Sequence, residues 1–167
     1  MANKIIERIS HGLQGELIIP GDKSVSHRSV MFAALGDTPV HITNFLPSAD
    51  CLSTAGVMQA LGAQVDFLGP TELIVKGNGL HGLQEPATVL DAGNSGTTLR
   101  LMMGMLAPQK FVSVFTGDSS LHKRPMGRVI KPLSMMGANI VGRAENTRLP
   151  ITIVPTTKAL EGITYDM

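Results

Sequence analysis

The chain contains an internal repeat, which restricts its possible folds because both copies must adopt the same supersecondary unit. Arg28 corresponds to Arg100 at a spacing of 72 residues. Residues 61–65 (LGAQV) correspond to residues 136–140 (MGANI) at a spacing of 75 residues. We interpret the difference as an insertion of three residues in the loop 117–125 of the second copy.

Each copy predicts the same order of elements: an extended segment, a glycine-containing turn, an apolar helix, a short strand, a second helix and two closing strands. The strands predicted for the first copy, about residues 13–78, are 16–19, 40–43, 64–68 and 72–76. Those predicted for the second copy, about residues 81–155, are 88–90, 111–115, 139–141 and 151–154. The pattern indicates an α/β fold (α+β in some schemes) of repeated βαβαββ units, in which helices cover a sheet.

The second helix of each unit has recognisable boundaries. In the first unit Ser48 is a good N-cap and Gly62 ends the helix. The apolar face of this helix is predicted to contain Cys51, Leu52, Ala55, Met58 and Leu61. In the second unit the helix is predicted over 127–136.

A third unit begins near the end of the chain. Residues 160–165 (LEGITY) resemble residues 13–18 (LQGELI), which lead into the first unit. We therefore expect two complete units and the start of a third, in a chain that is a piece of a longer protein.

The composition argues against several classes of function. A hydrophobic fraction of 43% with 16% charged residues is typical of a globular domain. A net charge of +1, one tyrosine and no tryptophan argue against nucleic acid as a partner. No stretch is long enough to span a bilayer, residues 1–8 lack a signal-peptide pattern, and a single cysteine allows no internal disulfide. We expect a cytoplasmic protein with no membrane partner.

Two glycine- and serine-containing turns open apolar helices and place arginines in the first turns of those helices. These turns are residues 21–28 (GDKSVSHR) and residues 91–100 (DAGNSGTTLR). The amino end of a helix favours anions, so Lys23, Arg28 and Arg100 are unfavourable for helix stability alone. A bound anion, held by backbone N–H groups, hydroxyls and these cations, would remove the conflict.

Each turn carries a candidate anion-binding group. In the first turn Lys23, Ser24 and Arg28 offer the convergent donors that a phosphate needs. The candidates in the second turn are Asn94, Gly96, Thr97 and Arg100. The alternative is purely structural: Ser24 caps the first helix, its cations are solvated or pair with Asp22, Asn or Ser caps the second helix, and Arg100 pairs with Asp91.

The inserted loop 117–125 (GDSSLHKRP) carries a third candidate group. It places His122, Lys123 and Arg124 just before a helix, whereas the matching loop of the first unit, 45–48, has no such residues. An insertion that adds charge to one copy of a repeat is typical of a functional loop, and a solvated surface loop is the alternative.

The metal-ligating residue types do not form a recognisable site. The five histidines show no metal-ligand spacing with Cys51 or with one another. Cys51 falls on the apolar face of a helix and is expected in the core. We assign no metal and no cofactor.

Three segments together resemble the EPSP synthase (3-phosphoshikimate 1-carboxyvinyltransferase) family in order and spacing. They are residues 21–28 (GDKSVSHR), residues 93–100 (GNSGTTLR) and residues 124–126 (RPM). The resemblance covers essentially the whole chain, and three motifs in register are far more specific than one. It implies an inverse α/β barrel in which each of two domains contains three βαβαββ units.

The resemblance implies a reaction and a first set of site residues. Lys23, Ser24 and Arg28 would hold shikimate 3-phosphate, and Lys23, taken as catalytic, would also touch phosphoenolpyruvate. The implied reaction transfers the enolpyruvyl group of phosphoenolpyruvate to the 5-hydroxyl of shikimate 3-phosphate and releases phosphate. This step of the shikimate pathway leads to chorismate and the aromatic amino acids, and it requires no cofactor.

The resemblance also implies how phosphoenolpyruvate is bound. Gly96 and Arg124 would contact it, with Asn94 nearby and Arg100 supporting the same cleft. Holding two crowded anions side by side suits a cleft of lysines and arginines.

The resemblance further implies that part of the enzyme lies outside this chain. Residues 1–20 would be a strand segment of the other domain, and residues 21–167 an incomplete N-terminal substrate-binding domain. Most groups assigned to proton transfer, and a serine-serine-glutamine contact to the shikimate phosphate, would follow residue 167. We expect the C-terminal portion as a partner and no turnover by this chain alone.

Other interpretations stay open. The enolpyruvyl transferase that acts on UDP-N-acetylglucosamine shares the fold but usually has a reactive cysteine in the loop that matches 117–124, where this chain has none. A non-catalytic anion-binding fragment is a second alternative. The RNA-terminal-phosphate cyclases have a related plan, but the near-neutral charge and few aromatics argue against RNA.

Overall fold

The structure is a computed structural model and describes residues 4, 5 and 12–166. Predictions for His11 and for most of residues 1–8 lie outside the described residues. The α-helices that position the site are α1 Lys23–Ala34, α2 Ala49–Ala60, α3 Gly96–Leu106 and α4 Gly127–Met135. The strands are β1 Val40–Ile42, β2 Gln64–Gly69, β3 Glu72–Lys76, β4 Leu90–Asp91, β5 Ser113–Thr116, β6 Asn139–Gly142 and β7 Arg148–Val154.

The strands form two sheets. The first has the order β1-β3-β2 and is antiparallel, with Val75 of β3 opposite Val40 on one side and Val65 on the other. The second has the order β4-β5-β7-β6, in which β4 runs parallel to β5 and the other pairs are antiparallel. This mixture of helices and strands confirms the predicted α/β class.

The helices pack in sequence order and join the two sheets. α1 packs on α2, α2 on α3 and α3 on α4. On α3 the apolar side chains recur at the helical spacing and are all buried: Leu99, Met102, Met103 and Leu106. Burying each side chain of this kind stabilises the fold by about 1.5–3 kcal/mol. The packed helices therefore hold their amino ends in a defined arrangement.

Most of the predicted elements form, with ends that differ by no more than three residues. The exception is segment 16–19, which forms no strand and leaves Leu17, Ile18 and Ile19 exposed. Residues 160–165 also form no regular element. The assignment of residues 1–20 to another domain therefore stays a prediction.

The prediction for α2 was right about its cap and partly wrong about its face. Ser48 caps the helix, and its hydroxyl accepts from the backbone N–H of Cys51 at 3.3 Å. Cys51 is fully buried, as predicted. Leu52 is 42% exposed, because it lies one position further round the helix than the buried stripe.

One turn was not predicted. In Arg143–Asn146, which joins β6 to β7, three consecutive non-glycine residues have positive φ, from 48° to 62°. The Asn146 side chain stabilises this turn by accepting from the backbone N–H of Gly142 at 2.9 Å. Non-glycine residues seldom adopt this conformation, so the local sequence favours no such turn.

Gly21 allows the turn before α1 to lie against a neighbouring loop. A Cβ on Gly21 would lie 1.8 Å from the carbonyl oxygen of Asn44. Ser26 ties the same loop to α1, because its hydroxyl accepts from Leu46 N at 2.9 Å and donates to the carbonyl of Asp22 at 2.8 Å. These contacts fix where the first residues of α1 point.

We predict that Gly21→Ala lowers the free energy of unfolding by about 2–3 kcal/mol, because backbone must move to admit the new Cβ. The matched control is Gly56→Ala in α2, where a Cβ would meet nothing within 4 Å. The control should stabilise by about 0.5–1 kcal/mol through helix propensity. Urea unfolding followed by circular dichroism measures both, and equal effects would contradict the packing argument.

Candidate anion-binding site

The first turn presents two unpaired polar side chains beside a helix end. Asp22, not Ser24, caps α1, and its Oδ1 accepts from Val25 N at 2.7 Å. Ser24 and Arg28 are exposed and make no side-chain hydrogen bond or ion pair with any residue that the structure describes. The first turn of α1 contains no acidic residue. An anion at this helix end would therefore bind beside the Asp22 cap, through the Ser24 hydroxyl and the Arg28 guanidinium.

Lys23 does not pair with Asp22, which was one of the two possibilities in the structural alternative. Its ammonium forms an ion pair with Asp50, which lies in the first turn of α2. The Lys23 side chain keeps 51% of its surface exposed, so it is held in place without being buried. The pair orients Lys23 across the gap between two helix amino ends.

The second turn brings two arginines to one glycine. Ser95 caps α3, accepting from Thr98 N at 3.1 Å, so the predicted Asn or Ser cap is the serine. A Cβ placed on Gly96 would lie 2.5 Å from Nη1 of Arg100 and 3.4 Å from Nη1 of Arg124. Two guanidinium groups therefore lie beside the first residue of α3. Such like charges repel each other, and a bound anion would relieve the repulsion.

Asp91 does not form the ion pair with Arg100 that the structural alternative proposes. Its Oδ1 accepts from the backbone N–H of Gly93 at 2.8 Å and shapes the turn. Arg100 forms no ion pair within the described part of the chain. Its charge is left available to the same site.

The inserted loop contributes Arg124 through a chain of hydrogen bonds. Asn94 donates from Nδ2 to Asp118 Oδ2 at 2.6 Å, and its Oδ1 accepts from Arg124 Nη2 at 2.6 Å. Asp118 Oδ1 also accepts from Leu121 N at 2.7 Å, at the start of the 3-10 helix Leu121–Lys123. These bonds, first that from Leu121 and then that from Asn94, hold the pKa of Asp118 below its usual range. The ionised carboxylate orients the Asn94 amide so that its oxygen faces Arg124.

The other two basic residues of this loop do not join the group. His122 Nε2 lies 3.2 Å from the Thr116 hydroxyl. The backbone carbonyl of Lys123 accepts from Arg148, and the Lys123 side chain is exposed. Of the three basic residues in the inserted loop, the structure brings Arg124 to the second turn.

The first turn of α2 lies between the two groups. On one side Asp50 pairs with Lys23 through its side chain, and on the other its backbone carbonyl accepts from the Thr98 hydroxyl at 3.4 Å. A Cβ on Gly93 would lie 2.9 Å from the Ser53 hydroxyl, which places the second turn against the same helix end. The two candidate groups therefore flank one helix terminus.

Two acidic residues of this site were missed by the sequence analysis. Asp118 had a local signal, since an aspartate three residues before a helical turn is a typical cap. Asp50 had none that pointed to Lys23, because the two are 27 residues apart and meet only in the tertiary structure.

The described residues contain no group of three or more histidine, cysteine or acidic side chains that could hold a metal. Burial raises the pKa of the Cys51 thiol, which disfavours the reactive thiolate form. Among the helices that the structure describes, none has the length and apolar character needed to cross a membrane.

Comparisons with known proteins show the family of this chain. The model of the EPSP synthase (3-phosphoshikimate 1-carboxyvinyltransferase) family matches residues 8–167. A 3-phosphoshikimate 1-carboxyvinyltransferase from Chloroflexus aurantiacus is 56% identical over 141 residues, which make up 84% of this chain and 32% of that protein. Another, from Thermodesulfovibrio yellowstonii, is 50% identical over 165 residues, or 99% of this chain and 38% of that protein.

A solved structure gives the same result. EPSP synthase from Acinetobacter baumannii aligns with a TM-score of 0.86 at 46% sequence identity, over 90% of this chain and 34% of that one. The chain thus spans about a third of the length of the relatives it matches. By sequence and by fold, this chain belongs to the EPSP synthase family.

Proposed function

We propose that this chain forms one wall of a cleft that binds shikimate 3-phosphate beside phosphoenolpyruvate, for transfer of the enolpyruvyl group to the 5-hydroxyl of shikimate 3-phosphate. The observation that carries the proposal is the convergence of cations at the amino ends of α1 and α3. Arg100 and Arg124 lie against Gly96, and Lys23 is held at the neighbouring end of α2. Curated relatives of this chain carry the name of this transferase.

The first turn is proposed to bind the phosphate of shikimate 3-phosphate. The exposed Ser24 hydroxyl and the Arg28 guanidinium are free of partners among the described residues, and the helix end adds its partial positive charge. Lys23 would reach the same phosphate group. The hydroxyl, the guanidinium and the ammonium together supply hydrogen-bond donors from several directions.

The second turn is proposed to bind phosphoenolpyruvate. Arg124 would contact its anionic groups, with Gly96 allowing close approach of the backbone. Asn94 holds Arg124 in position, and Arg100 adds positive charge from the other side of the glycine. Lys23, between the two turns, would touch both substrates.

In the proposed reaction, the 5-hydroxyl oxygen loses its proton to a base and bonds to C2 of phosphoenolpyruvate, while the methylene carbon of phosphoenolpyruvate takes a proton from an acid. The bond from C2 to the phosphate oxygen then breaks, the methyl carbon loses a proton, and phosphate leaves. The chain's own contribution is to align the two anions and to stabilise the charge that develops on them, with Lys23 as the central cation. The proton donor and acceptor are proposed to lie in the remaining part of the enzyme.

We propose the same division for the domains. Residues 21–167 would belong to the substrate-binding domain, and residues 1–20 would pair with the other domain, which the C-terminal portion completes. The exposed apolar side chains of Leu17, Ile18 and Ile19 support this proposal, because such a run is normally covered. A partner of this kind explains why we expect binding but no turnover from this chain alone. We also propose a cytoplasmic location.

The first test measures binding of each substrate to the purified chain by titration calorimetry. We predict that Arg124→Ala weakens phosphoenolpyruvate binding by about 10- to 100-fold through loss of charge-assisted hydrogen bonds, and changes the affinity for shikimate 3-phosphate by no more than about twofold. Arg28→Ala should instead weaken shikimate 3-phosphate binding and leave phosphoenolpyruvate binding nearly unchanged. The control is Arg128→Ala, an exposed arginine on α4, which should change neither affinity. Absence of binding to the unaltered chain would overturn the proposal.

A second test examines the Asn94 contact. We predict that Asn94→Asp weakens phosphoenolpyruvate binding by about tenfold, because the new carboxylate would face Asp118 and compete with the ligand for Arg124. Asn139→Asp adds the same charge at an exposed position of β6 and serves as the control. Equal affinities of the two variants would show that Asn94 does not orient Arg124 for the ligand.

A further inference from the structure

Four buried side chains form a continuous line of hydrogen bonds beneath the candidate site. His27 Nδ1 lies 2.6 Å from the Thr54 hydroxyl, which lies 2.6 Å from the Thr98 hydroxyl. Thr98 in turn donates to the hydroxyl of Ser95 at 2.7 Å. None of the four residues is more than 1% exposed. Buried polar side chains normally have hydrogen-bond partners, and here these side chains supply them to one another, so the line of hydrogen bonds is an organised part of the core.

The line runs through three helices and both halves of the site. His27 is on α1, Thr54 on α2 and Thr98 on α3, and Ser95 caps α3. His27 lies four residues after Lys23, and Thr54 lies four residues after Asp50. Residues four apart stand on the same helix face, so the buried line lies one turn below the Lys23–Asp50 ion pair.

The direction of the hydrogen bonds determines where the histidine carries its proton. The Ser95 hydroxyl oxygen accepts from the backbone N–H and the hydroxyl of Thr98. The single Thr98 hydroxyl proton points to Ser95 at 2.7 Å or to the Asp50 carbonyl at 3.4 Å, and in either case not to Thr54. Thr54 therefore donates to Thr98, and His27 Nδ1–H donates to Thr54. Nε2 of His27 is buried with no partner among the described residues and therefore carries no proton.

The electrostatic surroundings agree with a neutral ring. Burial lowers the pKa of His27, and the Lys23 ammonium adds to this effect, whereas the Asp50 carboxylate opposes it. A second proton on Nε2 would place a charged donor in the core without an acceptor. The ring is thus held in one tautomer and one orientation.

We propose that His27, Thr54 and Thr98 are positioning residues, which fix the separation of the two anion-binding turns so that one ligand can contact both. Apolar helix packing tolerates small shifts between helices, whereas short buried hydrogen bonds are directional and lose strength when the helices slide. The proposal rests on the proposed function above. Phosphoenolpyruvate would contact both Lys23 and the second turn. Loss of this line of hydrogen bonds should therefore weaken phosphoenolpyruvate binding more than shikimate 3-phosphate binding.

The experiment compares Thr54→Val, which removes the central hydroxyl, with Thr54→Ser, which keeps it. We expect Thr54→Val to weaken phosphoenolpyruvate binding by at least about tenfold and shikimate 3-phosphate binding by no more than about twofold, while Thr54→Ser stays near the original for both. The control is Ser113→Ala, because the Ser113 hydroxyl is buried on β5 with no partner within the described ranges. Its removal should leave both affinities unchanged.

The outcomes separate this inference from the proposed function. If the unaltered chain binds both anions and Thr54→Val binds them equally well, the positioning role is wrong. If Thr54→Ser loses as much affinity as Thr54→Val, the methyl group and not the hydroxyl is responsible, which also overturns it. If the unaltered chain binds neither anion, the proposed function itself fails.

A second measurement does not depend on any ligand or on the stability of a variant. Two-bond ¹H–¹⁵N correlation spectra of the unaltered chain should show His27 as the Nδ1–H tautomer, with a pKa below that of an exposed histidine. In Thr54→Ser the tautomer should be kept. A ring protonated on Nε2, or one that titrates like an exposed histidine, would overturn the proposed line of hydrogen bonds even if Thr54→Val fails to fold.

Discussion

Positive charge at the amino ends of helices is the constraint on which this structure depends. Arg100 and Arg124 lie against Gly96 at the start of α3, and Lys23 begins α1. Each helix end already carries a partial positive charge from its unpaired N–H groups, so this placement opposes stability in the absence of a ligand. The fold tolerates this destabilisation because the apolar faces of the helices are packed together in the core.

Acidic residues orient these cations without neutralising all of them. Asp50 holds Lys23 between the two turns, and Asn94 links Asp118 to Arg124 by hydrogen bonds. Arg28 and Arg100 form no ion pair within the described part of the chain. The result is a group of cations that are oriented but still able to bind an anion. Beneath them, the buried hydroxyls of Thr54 and Thr98 link α2 to α3.

The elements that the sequence predicted well are those with a strong local signal. Helix α2 begins after Ser48 as its cap requires, and β3 occupies the predicted residues, with Leu73 and Val75 on its buried face. Segment 16–19 has the same apolar character but forms no strand, since a strand needs a hydrogen-bonding partner that local sequence does not provide. The positive-φ turn at Arg143–Asn146 was missed for the related reason that its residues are not glycine.

By itself the sequence determined the α/β class, the three motifs and the candidate residues of both turns, because helix caps, periodicity and charge are local properties. The tertiary structure alone decided which of the polar and charged side chains contact one another. Lys23 and Asp50 are 27 residues apart, Asn94 and Arg124 are 30 apart, and Thr54 and Thr98 are 44 apart. Contacts of this kind depend on how the helices pack against one another, and no pattern in the neighbouring residues specifies them.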